Sequence, residues 1–152
     1  MSTVKVDTIQ TTGGVSEIAI DKLKGVASSG SISVVGEGGT TTTNLQQGVA
    51  KMWVNYTGIS TTAARDSFNL SSLTDSAVGQ TLLIINNNMN NDDYSGYYYT
   101  NAHSGTSYGN FDNVYAGGFG SLETGQCGNN AYGGSGNVDP FNSFCGIFGD
   151  LA

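Results

Sequence analysis

The stretch Val49-Ala50-Lys51-Met52-Trp53-Val54-Asn55-Tyr56-Thr57 decides how this chain folds. Laid out as a strand, it puts Ala50, Met52, Val54 and Tyr56 on one face and Lys51, Trp53 and Asn55 on the other. A period of two marks a strand with one face on a core, whereas a helix would repeat its apolar positions every three or four residues. The neighbouring sequence continues in kind. Residues 80–85 form an apolar run expected to be a strand buried on both faces. Residues 63–70 hold Arg65-Asp66 and Phe68, and residues 70–78 bracket Thr74-Asp75-Ser76, which reads as a turn. Residues 86–93 form a polar turn, and residues 94–100 return with three consecutive tyrosines. Tyr97, Tyr98 and Tyr99 cannot all face one way on a strand, so at least one is expected to be exposed or in a subunit interface. Short strands at this spacing predict an all-β fold, a small antiparallel sandwich or barrel-like module.

Composition agrees with that fold. Gly, Ser, Thr and Asn make up close to half of the 152 residues, and charged residues only 11%, against about 25% in an average domain. Such a chain disfavours long helices, because Gly loses the most backbone entropy and Ser, Thr and Asn compete for backbone hydrogen bonds. Aromatic residues at 10% argue against charge-driven disorder. All five Lys and Arg residues fall within residues 1–91, whereas residues 92–152 carry acids and no base, and the net charge is −7. Five basic residues are too few for a phosphate-neutralising surface, so nucleic acid is not an expected partner. The longest continuous apolar run is Leu82-Leu83-Ile84-Ile85, far short of the roughly 20 residues of a membrane-spanning helix. Residues 1–10 lack the basic-then-apolar pattern of a signal peptide, which predicts synthesis in a cytoplasm.

Three regions follow. Residues 1–44 hold short apolar segments too scattered for an independent core, and residues 36–44 read as a linker. This region is expected to be an arm that packs on another subunit, so the chain is expected to be an oligomer. Residues 45–100 are the β-module. Residues 101–152 are expected to be irregular loops and short strands, rich in Gly, Asn, Tyr and Phe, forming a distal region.

Candidate chemistry is sparse. His103 is the only histidine, sits beside Gly105 and reads as a loop residue rather than a base. Asp92-Asp93 lie among asparagines and read as a solvated turn, since the alternating acids of a calcium loop are missing. Cys127 and Cys145 read as two free thiols that could pair if the protein leaves the cell. Two thiols and one distant histidine do not make a metal site, and no cofactor is expected. The remaining signal is the aromatic, amide and glycine content of residues 101–152. Rings that stack on sugar faces and amides that reach hydroxyls make Tyr108, Tyr115, Tyr132, Asn129 and Asn130 candidate receptor contacts. Core packing is the competing reading of the same rings.

The phrases Lys5-Val6-Asp7-Thr8-Ile9-Gln10, Gly48-Val49-Ala50-Lys51-Met52-Trp53-Val54-Asn55-Tyr56, Arg65-Asp66-Ser67-Phe68-Asn69-Leu70-Ser71-Ser72-Leu73-Thr74-Asp75 and Asn86-Asn87-Asn88-Met89 carry a resemblance. Over residues 4–91 the chain resembles virion fibre and spike proteins of marine tailed bacteriophages. The resemblance implies an N-terminal arm that attaches to the particle and trimerises, followed by a small β-domain at or near a distal head. Almost no shaft is present, which favours a short tail fibre, a spike or a capsid-surface fibre. The expectation is a non-enzymatic virion protein, a homotrimer attached to other virion proteins through its arm and touching a host-surface glycan or protein. Its alternatives are a decoration protein without receptor binding and a polysaccharide-degrading tail enzyme. Val4, Val6, Ile9, Trp53 and Arg65 are the candidate interface residues, Trp53 at least half buried and Arg65 paired with a carboxylate.

Overall fold

The computed structural model describes residues 20–23, 32–36, 38–101, 115–133 and 136–152. Strands β1 (Ser33–Val35) and β2 (Thr42–Asn44) form an antiparallel hairpin, so part of the expected linker is a paired strand. One helical turn follows, α1 (Leu45–Gly48), started by Asn44, whose side chain accepts from the Gln47 amide at 3.1 Å. The remaining strands are β3 (Met52–Thr57), β4 (Ala63–Phe68), β5 (Leu70–Ala77), β6 (Gln80–Ile85), β7 (Ser95–Asn101), β8 (Tyr115–Glu123), β9 (Gln126–Gly133), β10 (Gly136–Asn137) and β11 (Asn142–Phe148).

They build two antiparallel sheets, as the period-two patterns predict. The first runs β4-β3-β11-β7. In the second, β5 pairs with β6 and β6 with β9; β8 lies along the other side of β9, and the short β10 extends the β6 side. The sheets close on one core: Met52, Val54, Tyr56, Cys145 and Ile147 from the first, and Leu83, Ile85 and Cys127 from the second. Fully burying a large apolar side chain contributes on the order of 2 kcal/mol, and most of these come from alternate positions of β3, β6 and β11. Met89 and Tyr94 join the same core, and the Tyr94 hydroxyl donates to the carbonyls of Glu123 at 3.1 Å and Gln126 at 2.8 Å.

The chain passes from one sheet to the other at Asn69, between β4 and β5. Asn69 holds φ at +57°, a left-handed conformation that Asn tolerates better than most residues. Its side chain fixes the corner: Nδ2 donates to the carbonyls of Lys51 at 2.8 Å and Asn87 at 3.1 Å, and Oδ1 accepts from the Asn87 amide at 2.8 Å. One asparagine thus ties the start of β3, the corner and the end of β6.

Two expectations are corrected. Thr74-Asp75-Ser76 is not a turn: β5 runs through it paired to β6, and the reversal comes at Val78-Gly79, between the partners Ala77 and Gln80. Gly79 has φ +70°, and a Cβ there would stand 2.5 Å from the Ala131 carbonyl oxygen, so only glycine fits. Residue 101 is not a boundary between a module and a distal region. β11 lies between β3 and β7, and β9 lies beside β6, so the C-terminal third completes both sheets. Its strands pair with segments distant in sequence, and their glycines break the side-chain alternation by which a strand is recognised.

Candidate functional site

The outer face of the β4-β3-β11-β7 sheet is aromatic. Because Met52, Val54, Tyr56, Cys145 and Ile147 face the core, the residues between them face away. The register aligns these in two rows across four strands: Phe68, Trp53, Gly146 and Tyr97 in one, Asp66, Asn55, Phe144 and Tyr99 in the next. Phe68 is 53% exposed, Trp53 37%, Phe144 40%, Tyr97 53% and Tyr99 48%. Trp53 therefore loses well over half its surface to its strand neighbours while still presenting an edge to solvent. Tyr97 and Phe148 lie with ring centroids 6.2 Å apart, and Tyr99 and Phe144 6.4 Å apart, both pairs tilted as aromatic pairs prefer. The Tyr97 ring lies over Gly146: a Cβ at that position would meet its Cε1 at 2.6 Å. Glycine here allows a ring from β7 to lie across β11 toward Trp53.

Arg65 stands at the rim of this face. Asn55 pairs with Asp66 and Tyr56 with Ala64, which leaves Arg65 as the extra residue of a bulge in β4. A bulge bends its strand and re-aims a side chain. The guanidinium reaches over β3: Nη1 donates to Asn142 Oδ1 at 2.5 Å and to the Tyr56 carbonyl at 3.2 Å, and Nη2 to the Phe141 carbonyl at 2.8 Å. It also sits 5.4 Å from the centroid of the Phe141 ring. The expected carboxylate partner is corrected: among the described residues the fork's hydrogen-bond partners are all neutral. The bulge aims the fork at neutral amide and carbonyl oxygens, and Asp66 instead accepts from the Ser67 amide at 2.8 Å.

The candidate receptor residues separate. Tyr132 is exposed on β9, opposite Tyr115 of β8 and Asn137 of β10 in the register. Asn130 lies on the outer side of the second sheet across from Gln80, where both line a shallow groove of about 270 Å³ with Ser76, Leu82 and Ser121. Asn129 is withdrawn as a receptor contact. Adjacent strand residues face opposite ways, and Asn129 points inward, 1% exposed, with its Nδ2 3.5 Å from the Tyr56 hydroxyl. Tyr108, Val4, Val6, Ile9 and His103 lie outside the described residues.

Polar groups inside the sandwich are chiefly hydroxyls and amides. Tyr98 and Thr100 both reach the Ser143 hydroxyl, at 3.4 Å and 2.9 Å. Burial pushes the Tyr56 and Tyr94 phenols well above the ordinary tyrosine range. Lys51 donates to the Gln46 carbonyl, and burial lowers its ammonium from the ordinary value, partly countered by the Asp150 carboxylate. Among the described residues no group of three or more His, Cys, Asp or Glu is placed to hold a metal ion, and no helix is long and apolar enough to cross a membrane. What the arrangement offers chemically is contact: an aromatic surface, nearly free of charge, with a guanidinium at one edge.

Sequence reasoning singles out Trp53 and Arg65 at this face and misses Phe68, Phe144 and Phe148. The available signal is the odd-even pattern of the tyrosine triplet, which exposes Tyr97 and Tyr99 and half-buries Tyr98. Compared with known proteins, the chain matches no family model, no curated protein and no solved structure.

Proposed function

We propose that this chain is a non-catalytic structural component of a bacteriophage particle, a homotrimeric short fibre or spike that contributes to host attachment. Its subunits meet through the aromatic outer face of the β4-β3-β11-β7 sheet. The observation that carries this reading is that face: two adjoining rows containing five rings, each 37–53% exposed, on one side of one sheet. Contiguous apolar patches of this kind mark interaction sites, and the buried centres of interfaces are enriched in Trp, Tyr and Phe and depleted of charge. Each chain carries a net charge of −7, so two copies repel over much of their surface. Within the two rows the only charged residue is Asp66, with Arg65 next to it.

The phage assignment rests on the sequence phrases that resemble virion fibres, and these include β3 and β4, which contribute Trp53 and Phe68 to the face. The second sheet's outer side, with Asn130 and its groove, and the end of β9 at Tyr132 then remain for a host-surface glycan or protein. Three copies would add weak contacts into firm attachment.

Light scattering of the full chain at micromolar concentration tests assembly. The expected mass is three chains, falling toward one in Trp53→Ala with the β-type circular dichroism retained. A folded monomer in the unsubstituted chain overturns the interface. Gold-labelled antibody to the chain tests location, and intact particles left unlabelled on both tail and capsid overturn the virion assignment.

A further inference from the structure

Cys127 and Cys145 come from opposite sheets, on β9 and β11, and both side chains enter the core between them. They are 0% and 1% exposed, and both are reduced. Both belong to one buried cluster between the sheets, and Cys127 is the chief neighbour acting on the Cys145 thiol. They are held apart in sequence by β10 and its flanking loops, a stretch that returns the chain from the second sheet to the first.

We infer that Cys127 and Cys145 form a covalent cross-linking site, closing an intramolecular disulfide that joins the two sheets when the protein meets a small-molecule disulfide oxidant. The Cys127 thiol gives up its proton, and its sulfur attacks one sulfur of the oxidant. The oxidant's S–S bond breaks and one thiolate leaves with the electron pair. The Cys145 sulfur, likewise deprotonated, then attacks the Cys127 sulfur of this mixed disulfide and expels the second thiolate. The protein loses two protons and two electrons, and the oxidant becomes two thiols.

Burial shapes when this happens. The core raises the Cys145 thiol far above its ordinary value, so thiolate is scarce in the closed fold and exchange runs during folding or transient opening. The same burial shields the finished bond from external reductants. A reducing compartment therefore yields the dithiol, and an oxidising medium the cross-linked form. The closed loop spans about 18 residues, long enough for a stabilisation typical of natural disulfides.

The test refolds the full chain with oxidised glutathione. The expected result is an intact mass lower by two hydrogens, no titratable thiol in denaturant and a digest peptide joining Cys127 to Cys145. The melting temperature should stand about 6–12 °C above that of the reduced chain. Two titratable thiols and an unchanged mass after refolding overturn the inference, as does a bond found only between chains on a non-reducing gel. The variant carrying both Cys127→Ala and Cys145→Ala should melt at the same temperature with and without glutathione. If that variant does not fold, the mass and thiol measurements on the unsubstituted chain still decide.

Discussion

Replacing Gly146 by alanine should separate folding from the proposed assembly with one methyl group. The Tyr97 ring occupies the space that methyl would take: an ideal Cβ stands 2.6 Å from its Cε1 and 2.7 Å from both Cζ and Oη. Ordinary carbon–carbon contact lies near 3.6 Å, so the ring edge must retreat by about 1 Å. The atoms struck are the far end of a side chain that is 53% exposed, which can turn about its own torsions without moving the backbone. Glycine inside a strand costs roughly 0.5–1 kcal/mol relative to alanine, and this gain offsets the weaker packing of the displaced ring on the β11 backbone. The stability of a single subunit should therefore change by less than about 1 kcal/mol. The proposed interface should respond differently, because Tyr97 shares its row with Trp53 and Phe68. Misplacing a central aromatic costs about 2 kcal/mol or more, which makes subunit association roughly 30-fold weaker. Light scattering over a dilution series reads the assembly. Urea unfolding, done below the concentration at which the unsubstituted chain dissociates, reads the subunit. An unchanged dissociation midpoint would show that this face is not the interface, and a large loss of subunit stability would show that the Tyr97 ring is a folding element.

Arg65→Ala removes donors to the Asn142 side chain and to the Tyr56 and Phe141 carbonyls; a loss of about 1–2 kcal/mol is expected in urea unfolding. Lysine should restore little of it, since a single ammonium cannot span the fork's acceptors. Gly79→Ala combines φ +70° with a methyl 2.5 Å from a backbone oxygen, and should lower stability by about 3 kcal/mol or more, read as a fall in melting temperature. Alkali should destabilise the reduced chain. Tyr56 and Tyr94 have folded values above the ordinary 10.0, and Cys145 above 9.0, so the unfolded chain gives up these protons first. Stability from these groups is intact below pH 9 and falls as pH rises beyond it, by up to about 1.4 kcal/mol per pH unit for each group. Lys51, lowered from 10.5, works in the opposite sense and offsets one group at most, up to that pH. Urea midpoints that stay level from pH 8 to about pH 11 would contradict this.

Residues 49–57 are legible because every second side chain there is large and apolar, and Met52, Val54 and Tyr56 are indeed buried. Residues 80–85 read as buried on both sides, whereas Thr81, Leu83 and Ile85 are buried and Gln80, Leu82 and Ile84 are half-buried. A continuous apolar run does not say whether its second face is covered. The C-terminal strands are the hard part. In β9, Gly128 and Gly133 interrupt the alternation, and the buried Asn129 looks like a surface residue. Only the register explains why it points inward: it stands beside Thr81 of β6, which is also buried. Arg65 is recognisable as an interface-type residue, but its bulge depends on how β4 pairs with β3, which no local pattern encodes.

The outer side of the first sheet is aromatic, and Asn69 is where the chain leaves that sheet for the second. One continuous stretch of chain supplies Phe68 to the aromatic face and, immediately past the left-handed corner, Leu70 and Leu73 to the partly buried side of the second sheet. Asp66 is the one acid in the rows; Asp75 on β5, Asp92 and Asp93 in the loop before β7, and Glu123 at the end of β8 are exposed and lie outside them. Association through the aromatic face would take its rings out of water while leaving those carboxylates solvated and apart, so like charge on the subunits would oppose contact elsewhere more than contact at this face. The same arrangement leaves the amide-lined side of the second sheet in water, where Gln80 and Asn130 remain available for hydrogen bonding. An assembly built this way needs no charged pair across its centre, and its specificity would come from how the Tyr97 ring and its neighbours fit, which is why a single methyl at Gly146 is enough to test it.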